Sequence, residues 1–125
     1  MAELRPHLRR ADFVARVREM EIEGYRLACL RDGDHVVCVA GYRIAHNLHL
    51  GKYLYVDDLV SAAARRGQGF GAVMLAWLRA EARTHGCRCL HLDSGTQRVD
   101  AHRFYFRHGM TIGSFHFYEE LAGDS

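Results

Sequence analysis

Between residues 69 and 86 apolar side chains recur three or four positions apart, at Val73, Met74, Trp77, Leu78 and Ala82, with Glu81 on the same run. That period predicts an amphipathic helix, which Gly86 ends. Phe70, Met74 and Trp77 read as its buried stripe. Upstream the pattern is that of strands. Tyr25 to Leu30 and Val36 to Ile44 are apolar or β-branched and are separated by Arg31-Asp32-Gly33-Asp34, a hairpin signal with the glycine inside the turn. Tyr53 to Val60 is the next strand, approached through Gly51. Before these, Asp12 is placed to cap a helix from about Phe13 to Gly24, whose partial face is Phe13, Val14, Val17, Met20 and Glu21. After the glycine-led helix come a short strand, Cys87 to Leu92, and a second short helix, Val99 to Arg107, closed by Gly109. Met110 to Glu120 follows as a strand or bent hairpin leg.

From Tyr53 onward the order is β-α-β-α-β, which predicts a mixed α/β (α+β) fold, its sheet covered by helices because neither layer buries its apolar side alone. No internal repeat or linker is visible, and 125 residues is the size of one domain, residues 1–125. A lone N-terminal helix has no core of its own. Gly123 to Ser125 reads as a loose tail.

Composition adds exclusions. With 49% apolar residues and one proline, extended disorder is not expected. A formal charge of +2 is too small for a nucleic-acid partner, and acidic residues are interspersed with basic ones except around Arg65 and Arg66. Apolar runs such as Val36 to Tyr42 fall far short of the roughly 20 residues that span a bilayer, and the charged N-terminus does not resemble a signal segment. The expectation is a cytoplasmic protein without a membrane partner. Its four cysteines, Cys29, Cys38, Cys87 and Cys89, are expected to be reduced, three of them in apolar strand-like segments.

The chemistry begins at Arg65-Arg66-Gly67-Gln68-Gly69-Phe70-Gly71, which follows a strand and opens a helix. Helix-start N–H groups and the helix dipole favour an anion there, and glycines let a pyrophosphate approach the backbone. Gly67, Gly69 and Ala72, with Asp93 a little over 20 residues on, also satisfy a dinucleotide-binding pattern. In that fold the strand runs almost directly into the first glycine. Here Ser61 to Arg66 intervene, and too little chain follows Asp93 for the rest of a doubly wound sheet. No Gly-Lys-Ser/Thr follows, which removes a P-loop.

Two motifs together resemble the GCN5-related N-acetyltransferases (GNAT family). Arg66, Gly69 and Gly71 match the family's Arg/Gln-x-x-Gly-x-Gly/Ala, followed by an apolar helix. Ala101-His102-Arg103-Phe104-Tyr105-Phe106-Arg107-His108-Gly109-Met110 is similar to its A-x-x-F-Y-x-x-x-G-F signature, with Met110 in place of the last aromatic. The resemblance implies a mostly antiparallel sheet with a parallel strand pair that splays to admit the pantetheine arm of acetyl-coenzyme A. It implies cofactor contacts from Leu59 and Val60 on the strand, from Arg65, Arg66, Gly67, Gln68, Gly69, Phe70, Gly71 and Ala72 on the turn, and from Ala101, Phe104 and Arg107 on the later helix. The family usually begins with a strand, here absent or reduced to Glu3 to Pro6. Arg98 replaces a frequent asparagine and is a candidate phosphate contact. A homodimer is compatible with the family.

An acceptor amine with a pKa near 10.4 is almost wholly protonated at pH 7, a handicap of about 4 to 5 kcal/mol, so a base is needed. Asp57 and Asp58 interrupt an apolar strand, and adjacent strand residues face opposite ways, so one of the pair is expected to face the cleft. On the resemblance, Asp57 lies where acidic residues bind or deprotonate the amine. His116, between Phe115 and Phe117, is a second base candidate; His46 and His49 read as loop residues. Tyr105, one turn after Ala101, is assigned as the acid that protonates the departing thiolate. His85, Cys87, Cys89 and His91 alternate along a strand, with same-face neighbours nearly 7 Å apart, and read as core rather than as a metal site. The expected function is acetyl transfer to a primary amine of a small molecule or peptide, by direct attack in a ternary complex. A non-catalytic acyl-coenzyme A sensor or interaction subunit on the same fold is the alternative.

Overall fold

Residues 10–63 and 66–122 are described by the computed structural model. Helix α1 spans Arg10–Ile22, strands β1, β2 and β3 span Arg26–Asp32, His35–Asn47 and Gly51–Ser61, α2 spans Phe70–Thr84, β4 Cys89–Leu92 and α3 Val99–Arg107. The sheet order is β1-β2-β3-β4. The first three strands form an antiparallel meander, and β4 runs parallel to β3, returning through α2. This is a mixed α/β fold with a mostly antiparallel central sheet. The chain divides into two compact units, one ending at Leu92 and the other beginning at Asp93.

The local chemistry explains the element ends. A two-residue turn, Gly33-Asp34, joins β1 to β2 across the pair Asp32 and His35. At the end of α1, Gly24 donates to Glu21 O (3.0 Å) and Tyr25 to Met20 O (2.9 Å), with Gly24 at φ 98°. This pair of bonds stops the helix and turns the next residue inward. The same two-bond ending recurs at the C-termini of α2 and α3, where Cys87 donates to Ala82 O and Met110 to Tyr105 O.

The core lies between one face of the sheet and α2. Cys38, Ala40 and Tyr42 alternate along β2, Leu54 and Val56 along β3, and Met74, Leu78 and Ala82 complete the cluster. Full burial of a leucine contributes about 1.5–3 kcal/mol, so Leu54 and Leu78, both fully buried members of this cluster, anchor the layer. A polar tie crosses it. Tyr42 Oη donates to Glu81 Oε2 (2.8 Å), and Arg26 and His85 flank the same carboxylate at 3.8 and 3.5 Å. Burial first, then the Glu81 contact, pushes the Tyr42 phenol up to about 12.

Several elements differ from the pattern-based expectation. Asp12 lies inside α1 rather than capping it, and α1 is largely exposed, with only Val17 and Met20 half-buried among residues 14–22. Trp77 is 44% exposed and meets Tyr42 only edge-on, so the buried stripe of α2 is Met74, Leu75, Leu78 and Ala82. His46 pairs with Lys52 inside the β2–β3 ladder instead of lying in a loop. All four cysteines are free, but Cys29 is exposed, and burial raises the Cys38 and Cys87 thiols. The final strand is absent: residues 110–121 carry no regular secondary structure, and Ile112, Phe115, Phe117, Tyr118 and Leu121 are exposed. Strand propensity is realised only against a neighbour, and no pairing partner is present for this segment among the described residues. The expected segment Glu3 to Pro6 lies outside the described residues, as does Arg65.

Candidate active site

The β2–β3 register slips between Gly41 and Tyr42. Gly41 pairs with Asp58 and Tyr42 with Val56, leaving Asp57 as the extra residue of a β-bulge. Val56 and Leu59 both belong to the layer against α2, so the two residues between them turn away from it together. The bulge therefore overturns the expectation that Asp57 and Asp58 point to opposite faces. Arg43 Nε donates to Asp57 Oδ2 at 3.0 Å, and Tyr25 Oη donates to Asp58 Oδ2 at 3.0 Å. The Arg43 guanidinium stands 5.6 Å from the Tyr25 ring centre and 3.7 Å from Glu23, closing the two pairs into one network. Burial first, then Asp58, raises the Tyr25 phenol well above its ordinary value.

The bulge sits where the parallel pair ends. The β3–β4 ladder runs from Tyr53–Cys89 to Val56–Leu92 and stops, while β3 continues to Ser61 beside β2. The strands part at Asp57. On the far side of the sheet from α2, the His91 ring sits between Tyr53 and Tyr55, 4.8 Å from each centroid, and Cys87 packs on the core. Each of these two residues of the alternating His/Cys run thus has a packing role, and no three metal-ligating side chains converge among the described residues.

Beyond β3 the chain enters the glycine turn. Gly67 and Gly69 hold φ at 85° and 82°, a left-handed conformation that costs any other residue strain. Nothing lies within 4 Å of a Cβ built on either. Gly69 is the N-cap of α2, with no side-chain cap and no acidic residue in the first turn. The helix's own ladder begins when Val73 donates to Gly69 O (3.1 Å), so the N–H groups of Phe70, Gly71 and Ala72 stand ahead of it. Arg66 and Gln68 are exposed on the turn, Phe70 and Leu59 pack at the core's margin, and Val60 pairs with Val39.

The second unit carries the remaining candidates. Ala101 and Tyr105 lie four residues apart on α3, and Arg98 is its N-cap residue without a side-chain cap bond. Phe104 packs edge-on against Tyr105 and tilts over His108; Arg107 is in the last turn. Burial raises the Tyr105 phenol, with Arg98 acting in the opposite sense, so the hydroxyl keeps its proton at neutral pH. His116 is not in a strand. It is exposed and pairs at 3.5 Å with Asp93 when protonated.

Residues 3–110 match the model of the Acetyltransferase (GNAT) family. This chain belongs to the GNAT family. Among proteins of similar sequence, an uncharacterized N-acetyltransferase YhdJ of Bacillus subtilis (strain 168) is 34% identical over 94% of this chain and 84% of its own length. An aminoalkylphosphonate N-acetyltransferase of Salmonella typhimurium is 37% identical over 78% of this chain and 62% of its own length. In fold, the chain superposes on AAC(6')-Iy in complex with a coenzyme A bisubstrate analogue with a TM-score of 0.83, at 13% identity, over 97% of this chain and 86% of that one. Within this GNAT chain, the sequence motifs pick out the glycine turn and α3. They do not pick out Tyr25, Gly41 or Arg43, which belong to no motif and meet Asp57 and Asp58 only through the bulged register. No helix among the described residues is long and apolar enough to cross a membrane.

Proposed function

We propose that the chain transfers an acetyl group from acetyl-coenzyme A to a primary amine of a small molecule or peptide, by direct attack in a ternary complex. The observation that carries this reading is the turn Arg66–Gly71, opening α2 just after β3 parts from β4. Its fit to a pyrophosphate rests on open space over Gly67 and Gly69, ungripped helix-start N–H groups and a first turn free of acidic side chains. Arg66, Gly67, Gln68, Gly69, Phe70, Gly71 and Ala72 would hold the diphosphate, and Arg65 is assigned to the cofactor with them. Leu59 and Val60 would line the pantetheine arm; Arg98, Ala101, Phe104 and Arg107 are the further contacts assigned to the cofactor. When bound, acetyl-coenzyme A supplies an activated thioester.

The chain's own work is proton traffic. The carboxylates of Asp57 and Asp58 attract the acceptor ammonium and take its proton, directly or through water, so that the nitrogen lone pair forms the new C–N bond. As the C–S bond breaks, Tyr105 Oη delivers a proton to sulfur. His116 is the lesser base candidate.

The test is thiol release with acetyl-coenzyme A and a panel of amines. An aminoalkylphosphonate comes first, given the Salmonella relative, followed by an aminoglycoside, a polyamine and a peptide with a free N-terminus. Amine-dependent release by the wild-type chain is the expected result. Tight coenzyme A binding with no release for any amine would overturn turnover and favour a sensor.

A further inference from the structure

Tyr25 is 4% exposed, yet its hydroxyl is committed to a carboxylate rather than to the backbone. Three separate features bring it there. The two-bond ending of α1 at Gly24 turns the residue under the sheet. Gly41, directly across the ladder from Asp58, leaves the space its ring fills: a Cβ at position 41 would overlap the Tyr25 hydroxyl and ring. The bulge then turns Asp58 to the same side as Asp57. A tyrosine that served only as core would need none of these, since a phenylalanine fills the same volume without a buried hydroxyl to satisfy.

The two carboxylates are held in chemically different ways. Arg43 is a cation, and its hydrogen bond to Asp57 offsets that carboxylate's charge. Tyr25 is a neutral donor with its phenol held protonated. Its hydrogen bond fixes the orientation of Asp58 without placing a further positive charge beside it. A carboxylate oriented in this way, at the point where β3 and β4 part, is suited to accept hydrogen bonds from an ammonium group. We infer that Tyr25 is a positioning residue for acceptor binding, holding Asp58 as the carboxylate that receives the acceptor's ammonium while Asp57 is held by Arg43. This assignment rests on the acetyltransfer reading for the location of the acceptor, and it divides between two residues a role that the sequence leaves open.

The experiment measures binding of 2-aminoethylphosphonate and of neamine to the full chain saturated with coenzyme A, by calorimetry, for wild type, Tyr25→Phe, Asp58→Asn and the double variant. Expected are losses of amine affinity of about tenfold for Tyr25→Phe and more for Asp58→Asn. In the double variant the loss should be no greater than in Asp58→Asn alone, because the hydroxyl acts through the carboxylate. Coenzyme A affinity should be unchanged throughout. Where turnover is measurable, KM for the amine should rise with kcat within about threefold of wild type for Tyr25→Phe. Unchanged amine affinity beside a lowered melting temperature, independent losses that multiply in the double variant, or no binding of either amine by the wild type would each overturn the assignment. Amine binding with the expected pattern but without thiol release retains the role of Tyr25 and removes the acetyltransfer reading.

Discussion

Gly69 holds φ at 82° at the threshold of α2, and any side chain there is strained even though the space is open. Gly69→Ala is therefore expected to disturb the turn as well as to put a methyl group in the path of the pyrophosphate. Calorimetric titration should show coenzyme A binding weakened about tenfold or more, with a pantetheine fragment much less affected. Arg66→Ala should act in the same sense by removing charge-assisted contacts. Equal losses for a fragment without phosphates would sink the assignment of this turn. Tyr105→Phe keeps the ring and deletes the proton donor. Turnover should fall about 10- to 1000-fold with cofactor binding little changed, and a melting temperature lowered by several degrees beside an unchanged rate would make the hydroxyl structural. At this scale the sequence is informative wherever the chemistry is local. Gly69 and Tyr105 stand in contiguous strings whose spacing carries their meaning. Tyr25 and Gly41 do not, because their pairing with Asp58 depends on a one-residue slip in register between strands, and no local pattern encodes a slip.

Helix α2 is held to β2 by apolar packing and by the Tyr42–Glu81 hydrogen bond. Glu81→Ala leaves the Tyr42 hydroxyl buried without its acceptor and should cost about 1–3 kcal/mol of stability, read by urea unfolding at pH 7. The same bond shapes the alkaline limb. Tyr42 ionises near 10 when unfolded and near 12 when folded, so the folded chain keeps a proton that the unfolded chain has lost. Its contribution is complete below pH 10 and is lost as pH rises toward 12, with a slope of at most about 1.4 kcal/mol per pH unit. Tyr25, also raised, acts in the same direction. Urea unfolding from pH 9 to 11.5 should show stability falling, and Tyr42→Phe should flatten that fall; an unchanged slope would mean that Tyr42 is not the titrating group. Element identities were readable where the period was long. The 3.6-residue repeat of α2 and the bounds of α3 follow from the sequence, and β1 to β4 match within a few residues. The segment from Met110 has strand-like residues and no strand, since side-chain preference alone supplies no hydrogen-bonding neighbour.

For the whole molecule, the alternation of strand and helix after Tyr53 was enough to predict a mixed sheet, and the observed order β1-β2-β3-β4 with one parallel pair agrees with it. The place where that pair ends was not predictable, because it depends on how far a four-residue strand can follow an eleven-residue one. The mismatch has a kinetic side. The antiparallel ladder between β2 and β3 joins ten positions through a short turn, whereas the parallel ladder joins four and closes a chain excursion from Tyr53 to Cys89. Ordering that excursion is the costly contact, formed late and released early. Under native conditions, amide hydrogens of β4 should exchange with solvent well before those of β2, as followed by deuterium uptake and mass spectrometry; simultaneous exchange would mean that the sheet opens as one body. A ligand gripping the turn between β3 and α2 braces the middle of the same excursion. Coenzyme A is therefore expected to slow exchange in β4.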